Sequence, residues 1–406
     1  MPRFPFIQSF SAPLPGRGTF LAVVILLGVV SATPAATETI ALNELWRIGG
    51  EEESEEYLIG VISGVTTDPA GQIYLLDAQL NEVMVLSPEG EYLQSIGREG
   101  EGPGEFTRPQ DVFLTSDGLI AVVQRFPGKI VLLTPEGEPA GEFPVPRTED
   151  GGTFRLSGAR PTVDGLVLEI AERRRRGDGM DMTLRLVQVD TNGKIQAEFA
   201  TAETSFDFAS RSFDERERTG GQWLWGTGTN GNVFLYSGWE GYEIDLYNPD
   251  GSTAGRVERA FTPRKRSAAE KESVKGRFGF RGRRRGPPME VIVADTDRDI
   301  QRIYPGPNGT VWALTSRGAL DAPEGSIGSF DVYDSSGGSI GEYTFEGEGD
   351  LQRDGFFFAG DRFYVVTELA AARRAMFGQG GDDDESEEVE AVPVSVICYE
   401  LPDISG

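Results

Sequence analysis

The sequence predicts an all-β protein, a six-bladed β-propeller with four-stranded antiparallel blades and a ring closed by the N-terminal strand. Two observations predict this fold. A tight turn of the form Asp/Ser/Thr-x-x-Gly recurs, and its glycines are spaced by 47 residues in two series, Gly71, Gly118 and Gly165, and Gly90 and Gly137. Short apolar runs separate the turns. A fixed period of this size is typical of repeat folds, and four-stranded units that cannot bury their own apolar faces stack around a centre.

The first two units define the order of the elements. Residues 73–77 and 82–86 in the first, and 119–124 and 129–133 in the second, are runs rich in Val, Ile and Leu. Each unit therefore consists of strand a, turn, strand b, loop, strand c, turn and strand d, with glycine in the left-handed position of each turn. The later units are degenerate, and their turns end at Gly193, Gly231, Gly251, Gly309, Gly337 and Gly360.

The sixth unit lacks its last strand. Residues 394–401 form its strand c, and the chain ends too soon afterwards for a strand d. At the other end of the chain, Leu45–Gly49 repeats the strand d pattern of Leu93–Gly97. We therefore expect the N-terminal strand to pair with the C-terminal blade, because this pairing removes two open sheet edges.

Three segments, Ile73–Asp77, Glu82–Leu86 and Gly97–Phe106, resemble the NHL-repeat and related six-bladed propellers of exported bacterial proteins. The third looks like the glycine-rich connector between blades that is common in that group. The likeness covers about residues 40–402. It implies the fold and leaves the function open, because such propellers include binding modules, lyases and hydrolases.

The N-terminal residues 1–36 have the features of an export signal. Arg3 and Arg17 supply positive charge, and Thr19–Val30 is an apolar run that is too short to span a bilayer comfortably. Val30-Ser31-Ala32 and Thr33-Pro34-Ala35 are plausible cleavage sites. We expect residues 37–406 to form the propeller, without a stable membrane span once the signal is removed. A retained anchor is the alternative. We expect the protein in the periplasm or outside the cell.

Composition excludes several kinds of site. The 406 residues include no histidine, so a Ser-His-Asp triad, a histidine general base and histidine metal ligands are all impossible. The single cysteine, Cys398, forms no intrachain disulfide and is expected to be buried. The formal net charge of −27 disfavours nucleic acid as a partner and favours solubility.

One face of the propeller carries the long insertions. The a–b and c–d turns are short and lie on what we call the short-turn face. The b–c and d–a connections lie on the opposite, loop-rich face. All the long insertions fall there, at 98–106, 144–153, 172–181, 201–219, 258–300, 318–328 and 371–391. Because loops on a rigid scaffold carry function, we expect the site on this face, at the mouth of the central channel.

The insertions are strongly charged. The 258–300 insertion is basic, with a helix expected over 263–276 after Thr262-Pro263 and a mobile basic loop over 282–288. Arg173–Arg176 is a further basic run, and an acidic stretch covers 382–390. Either these loops neutralise each other or the arginines form a rim that captures an anionic partner.

Strand a begins at the channel mouth, and counting back from each turn glycine gives the residues at its rim. The ligand-binding candidates are Gln110, Asp111, Trp223, Trp225, Gln301, Arg302, Gln352 and Arg353. Converging arginines and glutamines could hold a carboxylate or phosphate, with the tryptophans as an apolar wall. The alternative is that these side chains cap channel water and strand ends. The ends of strand b give a second polar ring, formed by Asp77, Gln124, Ser237, Thr315 and Thr367.

Two functions compete. The first is a non-enzymatic binding propeller, without a cofactor or catalytic residues, that recognises an anionic small molecule, a peptide or a protein surface. A scaffold role cannot be separated from this by sequence. The alternative is a calcium-dependent hydrolase or lactonase, which needs several oxygen ligands in the channel. Its weak acidic set is Asp77, Asp111, Asp354 and Glu368, although the resemblance implies that Asp77 is a turn-bonding residue.

Overall fold

The computed structural model describes residues 29–31, 37–50, 57–147, 152–207, 212–220, 223–228, 230–278, 290–376, 393–402 and 404. It confirms a six-bladed β-propeller built from four-stranded antiparallel sheets. Strand a of each blade is innermost and strand d is outermost. The predicted closure is also confirmed, because the N-terminal strand is strand d of blade 6.

The strands of the first three blades have the following bounds, given from a to d. Blade 1 comprises Ile62–Thr67, Ile73–Asp77, Glu82–Leu86 and Tyr92–Ile96. Blade 2 comprises Pro109–Leu114, Ile120–Gln124, Lys129–Leu133 and Pro139–Phe143. Blade 3 has much longer strands, Thr153–Thr162, Gly165–Arg176, Gly179–Asp190 and Ile195–Asp207.

The other three blades follow the same order. Blade 4 comprises Leu224–Thr227, Val233–Tyr236, Tyr242–Tyr247 and Thr253–Arg259. Blade 5 comprises Ile300–Pro305, Val311–Thr315, Ser326–Tyr333 and Ser339–Glu346. Blade 6 comprises Gly355–Ala359, Arg362–Val366, Ser395–Glu400 and, from the N-terminus, Asn43–Gly49.

The remaining elements lie at the periphery and in the connections. The helices are α1 (Glu215–Gly220), α2 (Ala268–Phe278), α3 (Ser316–Leu320) and α4 (Leu369–Met376), and Pro307–Gly309 forms a 3₁₀ turn. Two short parallel pairs join Arg98–Glu99 to Glu105–Phe106 and Ser212–Asp214 to Glu290–Ile292. Thr37–Ala41 and Val29–Ser31 add fifth strands, parallel to strand d of blade 5 and of blade 4 respectively.

The apolar core is divided among the interfaces between blades. In the described residues, six buried clusters each join two neighbouring blades, so the set runs once around the ring. Strand b of blade 1 shows why its sequence is continuously apolar. Ile73 and Leu75 face blade 6, whereas Tyr74 and Leu76 face blade 2. Successive side chains of a strand point to opposite faces, and here both faces are buried.

The N-terminal segment pairs with more blades than predicted. Trp46 lies opposite Cys398 in blade 6, and Arg47 pairs with Glu348 at 2.6 Å. The strand Thr37–Ala41 then covers the outer edge of blade 5. Residues 29–31, which pair with blade 4, belong to the predicted export signal. The rest of residues 1–36 lies outside the described part of the chain.

Two predicted details of the insertions were wrong. Residues 172–181 are not a loop but the ends of strands b and c of blade 3, because the antiparallel pairing continues to Arg176 and Gly179. The helix in the 258–300 insertion starts at Ala268 rather than after Thr262. Its N-terminus is set by a reciprocal pair, in which Ser267 N–H donates to Glu270 Oε2 at 2.6 Å and Glu270 N–H donates to Ser267 Oγ at 3.2 Å.

Candidate ligand-binding site

A repeated β-bulge marks the point where strand a enters the channel. In blades 1, 2, 3 and 5 the pairing of strands a and b skips one residue, at Ser63, Gln110, Ser157 and Gln301 respectively. A bulge bends the strand and changes the direction of the side chains beside it. The predicted rim therefore coincides with a repeated irregularity of the backbone in these four blades.

The residue after each bulge determines which side chain strand a presents at the channel mouth. It is glycine in blades 1 and 3, where a Cβ on Gly64 would lie 3.0 Å from Val112 N and one on Gly158 would lie 3.0 Å from Trp225 Cζ2. In blades 2 and 5 it is a charged residue, Asp111 and Arg302. Blades 2 and 5 are three positions apart in a ring of six, so these two charges lie on opposite sides of the channel.

On blade 2, the predicted residues contact blade 3. Gln110 Nε2 donates to the carbonyl oxygen of Leu156 at 2.8 Å, which ties the two inner strands together. Asp111 forms an ion pair with Arg160, and the two side chains remain 20% and 33% exposed. Gln110 is thus a structural contact, whereas Asp111 and Arg160 form a charged pair that is accessible from the channel.

Trp225 joins this pair to a partly buried acid, Glu169. Its indole Nε1 donates to Glu169 Oε2 at 2.6 Å, and its ring lies 5.9 Å from the Arg160 guanidinium. Burial raises the pKa of Glu169, although the Trp225 hydrogen bond and the charges of Arg125 and Arg160 act in the opposite direction. The side of the channel formed by blades 2 to 4 therefore holds two carboxylates and two guanidiniums around one tryptophan.

Trp223 does not form part of the channel wall. It is 7% exposed and packs in the cluster between blades 3 and 4, against side chains that include Val167 and Phe199. Counting along the chain gave its height at the rim correctly, but the ring is buried in the interface between the blades. The prediction of Trp223 as an apolar wall was therefore wrong.

On the opposite side of the channel, Arg302 faces Arg373 of α4. The side chain of Gln301 turns back, and its Nε2 donates to the carbonyl oxygen of Arg298 at 2.7 Å. The Arg302 side chain is exposed. The pKa of Arg373 is lowered, first by desolvation and then by the positive charge of Arg302.

Helix α4 brings Arg373 to this position. Its residues Leu369, Ala372 and Met376 pack on the cluster between blades 6 and 1, and Ala370 N–H donates to the carbonyl oxygen of Arg353 at 2.8 Å. Within the described residues, neither the Arg302 nor the Arg373 side chain forms an ion pair or a hydrogen bond.

Gln352 and Arg353 precede strand a of blade 6 instead of lying in it. Arg353 is held by Glu368 at 2.9 Å and by Asp350 at 3.2 Å, so its charge is already neutralised. Gln352 is exposed and lines a recess of 160 Å³ between blades 5 and 6. These two residues lie on the loop-rich face, as predicted, but apart from the arginine pair.

The four carboxylates of the calcium alternative do not form one group. Asp77 is buried and accepts four backbone N–H groups, including Gly60 at 2.6 Å and Gln79 at 2.9 Å, as expected of a turn-bonding residue. Asp354 accepts the backbone N–H groups of Asp350 and Glu368, both at 2.8 Å. Among the described residues, no three acidic or cysteine side chains are placed to hold a metal ion.

Three other members of the second polar ring also bond to nearby backbone, whereas Ser237 is exposed. Gln124 accepts from Thr107 N–H at 2.9 Å, Thr315 caps α3 by accepting from Gly318 N–H at 2.9 Å, and Thr367 accepts from Ser395 N–H at 2.9 Å. This ring therefore fixes the connections on the loop-rich face.

The described arginines of the 258–300 insertion are neutralised by carboxylates. Arg264 pairs with Glu270, Asp297 and Asp321, at 2.7–2.8 Å. Arg266 pairs with Glu215 and Asp297, each at 2.7 Å. Both arginine side chains are at most 15% exposed, so they are not part of an open rim. The basic stretch 282–288 and the acidic stretch 382–390 lie outside the described residues.

A larger recess lies on the opposite, short-turn face. It has a volume of 680 Å³ and is lined mainly by the turns of blades 1 and 2, including Asp68 and Thr115. Both side chains are used within their own turns, where Asp68 accepts from Gln72 N–H at 2.8 Å and Thr115 accepts from Leu119 N–H at 2.9 Å. Size alone therefore does not identify the site.

Sequence reasoning missed Arg160, Glu169 and Arg373. Glu169 pairs with Gly158 in the same register in which Leu76 pairs with Gly64 and Leu314 pairs with Arg302. An acid at a position that is apolar in other blades was a signal that an alignment of the blades would have shown. Arg373 carried no such signal, because its position depends on how α4 packs.

A family model matches part of this chain, and several solved structures are similar to it. Residues 52–146, which include blades 1 and 2, match the model of the DUF5128 family, described as a 6-bladed beta-propeller. Similar solved structures include a candidate exported protein of Bacteroides fragilis, with 12% identity, 90% and 98% of the two chains covered and a TM-score of 0.45. A DUF4221 family member of Bacteroides vulgatus shows 11% identity, 88% and 97% coverage and a TM-score of 0.45.

A third similar structure is the calcium-binding protein regucalcin of Agrobacterium tumefaciens, with 13% identity, 91% and 97% coverage and a TM-score of 0.41. In the described residues, no helix is long and apolar enough to cross a membrane. The chain is a six-bladed β-propeller, and its first two blades match the DUF5128 model of such propellers.

Proposed function

We propose that the protein is a non-enzymatic binding propeller that captures an anionic ligand at the mouth of its channel on the loop-rich face. One observation carries the proposal. Arg302 and Arg373 lie close enough for one charge to lower the pKa of the other, and neither has an ion-pair partner among the described residues. Holding two like charges close together is unfavourable, because they repel each other. An anion bound between the two guanidinium groups would remove this repulsion.

The distribution of the other arginines supports this location. In the described part of the chain, several arginines of the outer strands and of the blade 4–5 insertion are paired, for example Arg256 with Asp245 at 2.6 Å and Arg259 with Asp331 at 2.7 Å. Several arginines without a side-chain ion pair or hydrogen bond in the described part of the chain lie instead on the loop-rich side, namely Arg108, Arg125, Arg155, Arg302, Arg373 and Arg374.

The physical chemistry favours a carboxylate, phosphate or sulfate group. A guanidinium presents a planar set of N–H donors that matches such an anion in a bidentate manner. The net charge of −27 makes the rest of the surface repel anions, so an unpaired arginine pair would be a localised point of attraction. A peptide or a protein with an exposed acidic group could present the same chemistry as a small molecule.

The proposed location is the periplasm or the cell exterior, as the predicted export signal over residues 1–36 implies. Fractionation of cells that express the full chain, together with N-terminal sequencing of the product, tests this. A cytoplasmic product that retains residue 1 would contradict it.

The test of binding is titration calorimetry at low ionic strength with phosphate, sulfate and D-glucuronate as probes. We expect Arg302→Gln and Arg373→Gln each to weaken anion binding about tenfold, and the double variant to abolish it. Arg256→Gln is the matched control, because it removes the same charge from a surface ion pair on an outer strand. Wild-type affinity in the double variant, or no binding of any probe to the wild type, would overturn the proposal.

A further inference from the structure

Among the described strands, blade 3 has the longest outer strand of the propeller. Its strand d covers the 13 residues Ile195–Asp207, whereas strand d has five residues in blade 1 and five in blade 2. In the described part of the chain, this strand pairs only with strand c of its own blade. A long outer strand without a second neighbour is a template on which another strand can be added.

The other blades show how an outer edge can be protected. Val29–Ser31 and Thr37–Ala41 each add a fifth strand, to blade 4 and to blade 5 respectively. Blade 2 has a short strand d that begins with Pro139, and both features make an edge a poor template. Strand d of blade 3 contains no proline, and none of the described residues adds a fifth strand to it.

The second half of this strand is regular. Its pairing with strand c shifts only near its start, opposite the stretch from Leu186 to Val189. From Ala200 to Asp207 the pairing continues without a shift. Bulges turn an edge away from other strands, so the regular half is the part that can accept one. We call residues 202–206, which lie in this half, the blade 3 edge.

The two faces of the blade 3 edge differ in polarity. Ala202 packs on the cluster between blades 3 and 4, and Phe206 lies on the same face, opposite Met180 of strand c. The Phe206 side chain is nevertheless 38% exposed. The other face carries Glu203 and Ser205, both exposed. A strand added to this edge would cover Phe206 and leave the charged face in solvent.

The side chains of the edge match a second copy of the same strand. In an antiparallel pair with a twofold axis at Thr204, Ala202 of one copy lies opposite Phe206 of the other copy. Glu203 then lies opposite Ser205, so no two carboxylates are directly opposed. Directly opposed residues point to the same face of the sheet, and the apolar faces of the two copies therefore become continuous.

Other positions of the axis fit less well. An axis at Glu203 would place this carboxylate opposite its own copy, and an axis at Ser205 would place Glu203 opposite Asp207. Like charges that are directly opposed destabilise a strand pair. An axis nearer the start of the strand would involve the half with the shifted pairing. Charge and regularity thus both favour Thr204.

We propose that the blade 3 edge joins a second copy of this chain in an antiparallel pair centred on Thr204, so that two blades form one eight-stranded sheet. The joined segment is short, so the dimer dissociates on dilution, with a Kd of roughly 1–100 μM. Each chain has a formal net charge of −27, which opposes association. Added salt screens this repulsion and should strengthen the dimer, whereas it should weaken the binding of an anion to arginines.

Sedimentation equilibrium of the purified protein, over concentrations that span this range and at low and high sodium chloride, measures the dimer. Phe206→Asp should raise its Kd at least about tenfold, because a carboxylate would then lie within the apolar face. Val163→Asp is the matched control, since it introduces the same charge at a side chain that is 74% exposed in the a–b turn of the same blade. Phe206→Asp should leave anion affinity unchanged, which separates this inference from the proposed function.

Added cysteines test the position of the axis, because the native Cys398 is fully buried. Thr204→Cys should form disulfide-linked dimers under mild oxidation, since directly opposed residues have Cα atoms about 4.5–5.5 Å apart. Glu203→Cys and Ser205→Cys should each cross-link at least about tenfold more slowly alone, because identical residues there are diagonal neighbours about 7–8 Å apart. A mixture of these two variants should cross-link as fast as Thr204→Cys, and it provides the test if Thr204→Cys does not fold.

Three results would overturn the proposal. A wild-type chain that stays monomeric over the whole range would leave the edge for a strand of a different protein. A dimer that Phe206→Asp does not weaken would use another surface. Equal rates of cross-linking at all three cysteine positions would indicate random collision instead of a fixed pairing.

Discussion

Trp46 lies directly over Gly90. A Cβ added to Gly90 would come within 2.6 Å of Trp46 Cδ2, and the indole Nε1 donates to the carbonyl oxygen of Pro88 at 3.1 Å. Trp46 belongs to the N-terminal strand that completes blade 6, and Gly90 ends the c–d turn of blade 1. The closing strand is therefore fixed to both of the blades that it brings together.

We expect Gly90→Ala to destabilise the protein by at least about 2 kcal/mol. The residue has a φ of +87°, which strains any side chain, and the new Cβ would also displace Trp46. Gly118→Ala is the matched control, because this turn glycine of blade 2 has a φ of +82° and no atom within 4 Å of its would-be Cβ. Equilibrium unfolding in urea measures both, and equal losses would contradict the contact with Trp46.

We expect Arg266→Gln to destabilise the protein by about 3–5 kcal/mol, because it leaves buried carboxylates without their partner. Arg266 and Glu215 are 8% and 7% exposed, and Arg266 also binds Asp297. In contrast, Arg216→Gln removes an ion pair with Glu240 whose side chains are 47% and 53% exposed, and it should cost less than about 1 kcal/mol. Thermal and urea denaturation of the two variants provides the comparison. Similar losses of stability in the two variants would mean that burial of the Arg266 network adds nothing to the stability of the protein.

The thiol of Cys398 should be inert in the folded protein. It is fully buried in strand c of blade 6, and burial raises its pKa to about 11. We expect no reaction with a thiol reagent such as dithionitrobenzoate at pH 8, and one reacting thiol per chain in guanidinium chloride. Ser336→Cys, which adds a thiol to an exposed turn, should react at once and controls for the reagent. Rapid labelling of the wild type would show that blade 6 opens readily.

Asp331 should make stability depend on pH. Burial raises its pKa to about 6, although Arg259 at 2.7 Å acts in the opposite direction. The folded protein therefore keeps a proton on Asp331 at pH values where the unfolded chain, with an ordinary pKa near 4, has lost it. The free energy of unfolding should fall as pH rises from about 4 to about 6, and the contribution of this group is about 3 kcal/mol.

Asp331→Asn should remove that part of the pH dependence, measured as the difference between the variant and wild-type curves from pH 4 to pH 7. Asp245→Asn is the control, since its ion pair with Arg256 lies on a more exposed surface. A curve for Asp331→Asn that runs parallel to the wild type would disprove the role assigned to Asp331.

The fold could be predicted because its signals are local and repeated. Turn glycines such as Gly71 and Gly118 need a left-handed backbone, and the apolar runs between them need burial on both faces. The missing strand of blade 6 was predicted by the same count. The strand Thr37–Ala41 was not, because its parallel pairing adds an edge to a blade that was already complete.

The site was predicted only in part. Counting from the turn glycines gives the height of a residue along strand a, which placed Asp111 and Arg302 at the rim. It does not give the direction of the side chain, so Trp223 was assigned to the channel wall although it packs between blades. Composition also cannot show which carboxylate reaches which arginine. The sequence therefore left open whether Arg264 and Arg266 are exposed, and in the structure both are buried in ion pairs.

The closing strand has a consequence for the order of events during biosynthesis. Asn43 contacts Glu400 across 357 residues of sequence, so the last blade cannot form until the whole chain has been made. At a translation rate of roughly 5–20 residues per second, the first strand waits roughly 20–70 s for its partner. During that interval the polypeptide is a linear series of blades whose two ends remain unpaired.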